Sequence, residues 1–192
     1  MVPMDATDRF FIITGGPGSG KSSLIEALQE RGYSGTIEAG RGVIQDQVAT
    51  GGSALPWGDR LLFAEMMLSW EVRSYHMARL ASGTVFFDRG VPDVLGYLKL
   101  CNLTAPPHML KAAEDFRYNR RVFIAPPWQD IFRQDRERKQ DFDEAVRTCE
   151  ALVETYAALN YTLVELPRVS IEERLRFILD DIENVSATCK RI

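Results

Sequence analysis

The sequence predicts an α/β fold in which a parallel sheet carries helices on both faces and a P-loop NTPase site lies at its edge. Three observations point there. Short apolar runs, such as Phe10-Phe11-Ile12-Ile13, Thr84-Val85-Phe86-Phe87 and Val122-Phe123-Ile124-Ala125, alternate with longer helical patterns. The first run leads at once into the glycine-rich stretch GGPGSGKSS, residues 15–23. The runs near 38 and 88 end in charged residues, and ligands of such sheets sit at the carboxyl ends of the strands.

The first strand is expected over 9–14. The loop after it fits G-x-x-x-x-G-K-[ST], from Gly15 through Gly20 to Lys21 and Ser22. Glycines cost backbone entropy, so a cluster of them needs a reason. Without Cβ atoms in the way, successive N–H groups can turn inward and form a nest for phosphate oxygens. A helix over 21–31, with Leu24, Ile25 and Leu28 as its stripe and Gly32 closing it, adds the pull of its N-terminal dipole. On this reading Gly15, Gly16, Pro17, Gly18, Ser19, Gly20, Lys21, Ser22 and Ser23 bind a nucleoside triphosphate. Lys21 reaches the β- and γ-phosphates, and the Ser22 hydroxyl ligates Mg²⁺.

A second strand is expected over 35–38 (GTIE), then a helix over 40–50. The segment GGSALP breaks the pattern before a long helix over 57–81, with Leu61, Leu62, Met66, Trp70, Met77 and Leu80 expected against the core. Ser82-Gly83 turns the chain into the third strand. Helices over 91–101 and 106–117 follow, separated by APP, and Pro126-Pro127 stops the fourth strand. A polar helix, a longer helix over 141–159 and a strand over 161–165 come next. The last helix opens at Ser170 with Glu173 three residues on, a capping box.

A length of 192 residues suits one domain spanning 1–192, and 45% hydrophobic with 26% charged residues reads as globular. The net charge of −4 gives no electrostatic case for a nucleic-acid or membrane-surface partner. Cys101, Cys149 and Cys189 are odd in number and far apart, which suits reduced thiols in a cytoplasmic protein rather than disulfides or a zinc site. His76 and His108 are too separated for a histidine metal cluster, and His76 is expected at a core edge. Residues 1–8 are expected as a loose start without a signal-peptide pattern, and no apolar run approaches the ~20 residues of a membrane span.

The strand ends supply the candidate chemistry. Asp88, ending the third strand, stands where a Mg²⁺-associated acid belongs, and the adjacent Arg89 can neutralise transferred phosphoryl charge; the alternative is a solvated ion pair at a turn. Asp93 is either part of this site or an ordinary acid in a helix's first turn. Glu38 can accept a proton from an acceptor hydroxyl, and Arg41 can hold an anionic group on that acceptor; alternatively the two form a local salt bridge. Trp57 and Arg60 either sandwich an acceptor or anchor the start of the long helix. Arg133, Arg136, Arg138 and Lys139 fall in a segment at about 128–140 that reads as a lid over the nucleotide or as a solvated charged face.

The set FIITGGPGSGKSS, IEAGR, FFDRGVPD and an arginine-rich stretch after the fourth strand resembles the P-loop small-molecule kinases related to nicotinamide riboside kinase and thymidylate kinase. More closely, it resembles an AAA-type ATPase family that shares this kinase core. The resemblance implies a five-stranded sheet of order 2-3-1-4-5. It also implies that Lys21 and Ser22 serve the donor phosphates and magnesium, that Asp88 and Arg89 serve metal and acceptor, that Glu38 lies in the acceptor site, and that Arg133 and Arg136 act from the lid. Thymidylate kinases carry an aromatic residue or histidine after the D-R pair, where this chain has Gly90, which speaks against thymidylate specificity.

The expected activity is transfer of the γ-phosphoryl group of ATP, with Mg²⁺, to a small-molecule acceptor. The alternative is an ATPase or nucleotide-binding regulatory module without an acceptor. No N-K-x-D tetrad marks guanine recognition, and after the fifth strand only one helix is expected, too little for the helical domain of a ring-forming motor.

Overall fold

The computed structural model describes residues 6–132 and 141–189, so Arg133, Arg136 and most of the expected lid lie outside the described residues. The strands are β1 (Phe10–Gly15), β2 (Ser34–Gly35), β3 (Val85–Asp88), β4 (Arg121–Ala125) and β5 (Thr162–Glu165). They form one sheet of order β2-β3-β1-β4-β5, every neighbouring pair parallel. The helices are α1 (Ala6–Arg9), α2 (Lys21–Glu30), α3 (Ala39–Thr50), α4 (Arg60–Ala78), α5 (Val91–Leu100), α6 (Pro107–Asp115), α7 (Phe142–Ala158) and α8 (Ile171–Cys189).

The central position of β1 explains its composition. It is flanked by β3 and β4 and covered on both faces, so all six residues are buried and apolar alternation gives way to a continuous run. Strand side chains alternate between faces. Phe11, Ile13, Phe86 and Phe123 pack against Leu24 and Leu28 of α2 and Leu175 and Ile178 of α8. Phe10, Ile12, Phe87 and Val122 face the other layer, built from α3, α4, α5, α6 and α7. The capping box closes as expected, with Ser170 N–H donating to Glu173 (3.1 Å) and Glu173 N–H to Ser170 Oγ (3.3 Å).

Two expectations need correction. The second strand is not 35–38 but Ser34–Gly35, paired with Val85 and Phe86. Thr36 adds one more bond to the ladder, its N–H donating to Phe86 O (3.0 Å), and its hydroxyl then accepts from Asp88 N (3.1 Å). The chain departs there, leaving Ile37 71% exposed and Glu38 at the N-cap of α3.

The second correction concerns α4, which is shorter than 57–81 because the Asp59 carboxylate caps it, accepting from Leu62 N (2.9 Å). Its inward face is also different: Phe63, Met67, Glu71 and Tyr75 are buried, whereas Leu61, Leu62 and Met77 are exposed and Leu80, beyond its end, is 82% exposed. Met66 and Trp70 pack at the edge of the core. Apolar residues occur on several sides of this helix, so spacing alone does not single out the side that meets the sheet.

His76 is exposed at the core edge with its ring against Phe116 (centroids 5.4 Å apart), and His108 lies 2.9 Å from Glu65. Among the described residues no His, Cys, Asp and Glu group is arranged to hold a metal by itself, and no helix is long and apolar enough to cross a membrane.

Candidate active site

The glycine loop between β1 and α2 is fixed largely by backbone. Gly15, Gly18 and Gly20 have φ of 136°, 70° and 79°, a region that L side chains rarely enter. A Cβ on Gly15 would stand 2.3 Å from Ala125 O, and one on Gly16 2.3 Å from Ala145 O, so β4 and α7 pack directly on the loop backbone. Lys21 is buried and folded across the loop, its Nζ donating to Gly16 O (2.7 Å) and Ser19 Oγ (3.1 Å). Ser22 and Ser23 stand exposed on the first turn of α2. From behind, Arg174 of α8, only 2% exposed, donates to Ser19 O (3.1 Å). Sequence reasoning missed this brace, because an arginine on an amphipathic C-terminal helix looks like any solvated residue.

At the end of β3, Ser22 Oγ donates to Asp88 Oδ2 (3.1 Å), so the loop serine and the strand-end acid meet. The other oxygen, Asp88 Oδ1, is buried without a hydrogen-bond partner among the described residues. Burial, and then the charge of Glu38, push the Asp88 carboxyl up to about 6, against the opposing pull of Lys21, Arg89 and the Ser22 bond. An orphaned carboxylate oxygen beside a hydroxyl, next to a phosphate-shaped loop, is a donor set that suits Mg²⁺.

Arg89 has a positive φ of 74°, an uncommon conformation for a non-glycine residue, and its N–H is pinned to Ile13 O (3.1 Å). Its guanidinium bridges Glu38 (Nε to Oε1, 2.9 Å) and Asp93 (Nη1 to Oδ1, 3.1 Å). Burial alone would lower its pKa; Glu38, Asp93 and Asp88 outweigh that and raise it, so the guanidinium stays charged. Asp93 serves both of the roles left open by its position. Its carboxylate accepts from Gly90 N–H (3.0 Å) in the first turn of α5, and also from Arg89, Thr14 Oγ1 and Tyr156 Oη.

Beside this cluster opens a cavity of about 430 Å³. Pro17 of the loop, Glu38 and Arg89 line one end, Ile44, Phe63, Met67 and Leu152 line its body, and the exposed Trp57, Arg60 and Arg147 stand at its mouth. Arg41, half-buried on α3, is not among the lining residues, so the expected partnership of Glu38 with Arg41 around an acceptor gives way to one of Glu38 with Arg89. Sequence reasoning also missed Glu71. It is 3% exposed on α4 and lines the cavity, and burial first, then Asp93 and Asp88, raise its pKa well above the usual carboxylate range. Its signal was there: it falls in the row Phe63, Met67, Glu71, Tyr75 at steps of four, one acid on an otherwise apolar face.

A family model described as an AAA domain matches residues 10–174. No curated protein matches the chain in sequence. Solved structures that resemble it include a deoxyadenosine kinase from M. mycoides with bound dATP, with TM-score 0.65 and 13% identity over 91% of this chain and 99% of that one. The NadR protein in complex with NR has TM-score 0.68 and 17% identity over 93% of this chain and 50% of that one. A thymidylate kinase from Ehrlichia chaffeensis has TM-score 0.59 and 15% identity over 91% and 98%. The shared feature is the fold: a five-stranded parallel sheet of order 2-3-1-4-5 with a phosphate loop after its first strand. With the family model spanning all five strands, the chain belongs to the AAA domain family and is built on the P-loop nucleoside and nucleotide kinase fold.

Proposed function

We propose that the protein is a kinase that transfers the γ-phosphoryl group of ATP to a small molecule held in the cavity beside α4. One observation carries this reading: the cavity shares its inner end with the phosphate loop, where Pro17, Glu38 and Arg89 all line it. A nucleotide-binding module without an acceptor has no use for a second site at that spot.

Phosphoryl transfer asks for positioning and charge neutralisation more than covalent help. The loop amides from Gly15 to Ser23 would hold the triphosphate, with Lys21 exchanging its bonds to Gly16 and Ser19 for phosphate oxygens. Mg²⁺ would be held by Asp88 and Ser22, and supplies neutralisation of phosphate charge when bound. Glu38 accepts the proton of an acceptor hydroxyl as its oxygen bonds to the γ-phosphorus; the bond from that phosphorus to the β–γ bridging oxygen breaks, and ADP leaves. Arg89, aimed by Asp93, neutralises charge on the phosphoryl group in flight.

The test is incubation with γ-labelled ATP, Mg²⁺ and a pooled small-metabolite extract. Label on an organic product is the expected outcome. Label released only as inorganic phosphate, from a pool shown to serve other metabolite kinases, would mark the protein as an ATPase instead.

A further inference from the structure

We propose that the acceptor is an unphosphorylated, nucleoside-type alcohol, with a hydroxyl at the Glu38 end and a flat heterocycle whose edge hydrogen-bonds to Glu71. This rests on the kinase reading above and specifies the chemistry of its second substrate.

The charges at the two ends of the cavity argue for it. The charged side chains lining the inner end are Glu38, Arg89 and Asp93, two carboxylates and one guanidinium that is bonded to both. A phosphomonoester there would set its negative charge beside Glu38 and Asp93, and Arg89 would have to abandon two carboxylates to receive it. The other arginines lining the cavity, Arg60 and Arg147, are exposed at its mouth. A hydroxyl meets no such opposition and can donate to the Glu38 carboxylate. In the transfer the acceptor oxygen forms the new bond to the γ-phosphorus, ADP is the leaving group, and the hydroxyl proton passes to Glu38.

Deeper along α4 stands Glu71. Its ionisation is set by burial and by neighbouring charges, not by a hydrogen bond, and none to its carboxyl is found among the described residues. Burial that disfavours the charged form leaves a carboxylic acid at neutral pH. Such a group offers an O–H donor beside a C=O acceptor, the complement of a ring edge that presents an acceptor next to a donor. The walls around it suit a flat ring. Phe63 and Tyr97 meet edge to face (centroids 5.3 Å apart, planes at 73°), and Met67 and Leu152 supply apolar surface. The volume of about 430 Å³ lies within the range of small-molecule sites.

The experiment offers the full chain, γ-labelled ATP and Mg²⁺ to four pairs of compounds: adenosine, deoxyadenosine, deoxycytidine and thymidine, each against its own 5′-monophosphate. For at least one pair, kcat/KM for the nucleoside is expected to exceed that for the monophosphate by about tenfold or more. Glu71→Leu, which removes a buried carboxyl and is expected to fold, should raise KM for that nucleoside by about tenfold or more while KM for ATP stays put. Glu71→Gln keeps a neutral donor and acceptor and should raise it much less. Preference for the monophosphates would overturn the inference and leave the kinase reading standing. Unchanged nucleoside KM in Glu71→Leu would remove Glu71 from recognition. Label on none of the eight compounds would overturn the nucleoside assignment, while the kinase reading would still be decided by the metabolite pool.

Discussion

The phosphate loop and the cavity beside α4 meet at Arg89, yet they are assembled in different ways. The loop is nine consecutive residues whose shape is set by positive φ angles and by backbone packed on backbone at Ala125 and Ala145. The cavity draws Pro17, Glu38, Phe63, Arg89 and Leu152 from five separate parts of the chain and is walled by side chains. The loop therefore tolerates no added atoms but needs few particular side chains. The cavity can change its lining residue by residue, which is how one fold comes to accept different small molecules.

Substitutions at the shared end should test that contrast most severely. Glu38→Gln is expected to lower the rate of transfer by about 10²–10⁴-fold with ATP binding retained, measured by single-turnover label transfer and by nucleotide titration. Normal transfer would remove Glu38 as the base. Asp93→Ala would strip the acceptor from Arg89, Thr14, Gly90 and Tyr156 at once, and should cost roughly 3–5 kcal/mol in urea denaturation. A loss below about 1 kcal/mol would mean that Arg89 is held by Glu38 alone.

On α4 the contrast becomes one between two faces. Phe63→Ala, at a side chain 3% exposed, is expected to cost about 3–5 kcal/mol. Leu80→Lys, at a side chain 82% exposed, should stay within about 0.5 kcal/mol. Equal costs at the two positions would contradict the inward face described for this helix.

The smaller effect of pH falls between those two. Burial raises the Asp88 carboxyl from its ordinary 3.8 to about 6, so the fold favours its neutral form. Its contribution to stability is present below 3.8 and is lost as pH rises through about 6. Magnesium needs the carboxylate, so Mg²⁺ affinity in the presence of nucleotide should fall by up to about tenfold per pH unit below 6. A Mg²⁺ titration that does not move between pH 7 and pH 5 would count against Asp88 as a ligand.

The loop, the strand β1 before it and the acid at the end of β3 were legible because each rests on neighbouring residues: a glycine spacing, an apolar run, a carboxylate at the end of another. The α4 face was not legible. Leu61, Leu62 and Leu80 are as apolar as Phe63 and Met67, and only the place where the helix meets β1 and β3 separates them. Glu71 and Arg174 escaped for a related reason. A charged residue in a helix reads as solvated until the packing of other elements shows that water has been excluded from it.

The sequence by itself determined that a parallel sheet would carry a phosphate-shaped loop after its first strand, because backbone dihedrals and strand apolarity are local properties. Only the tertiary structure decided what stands opposite that loop. Arg89 is shared between Glu38 and Asp93, and Glu71 faces a cavity, because burial and charge pairing depend on residues that are distant along the chain and adjacent only once it has folded.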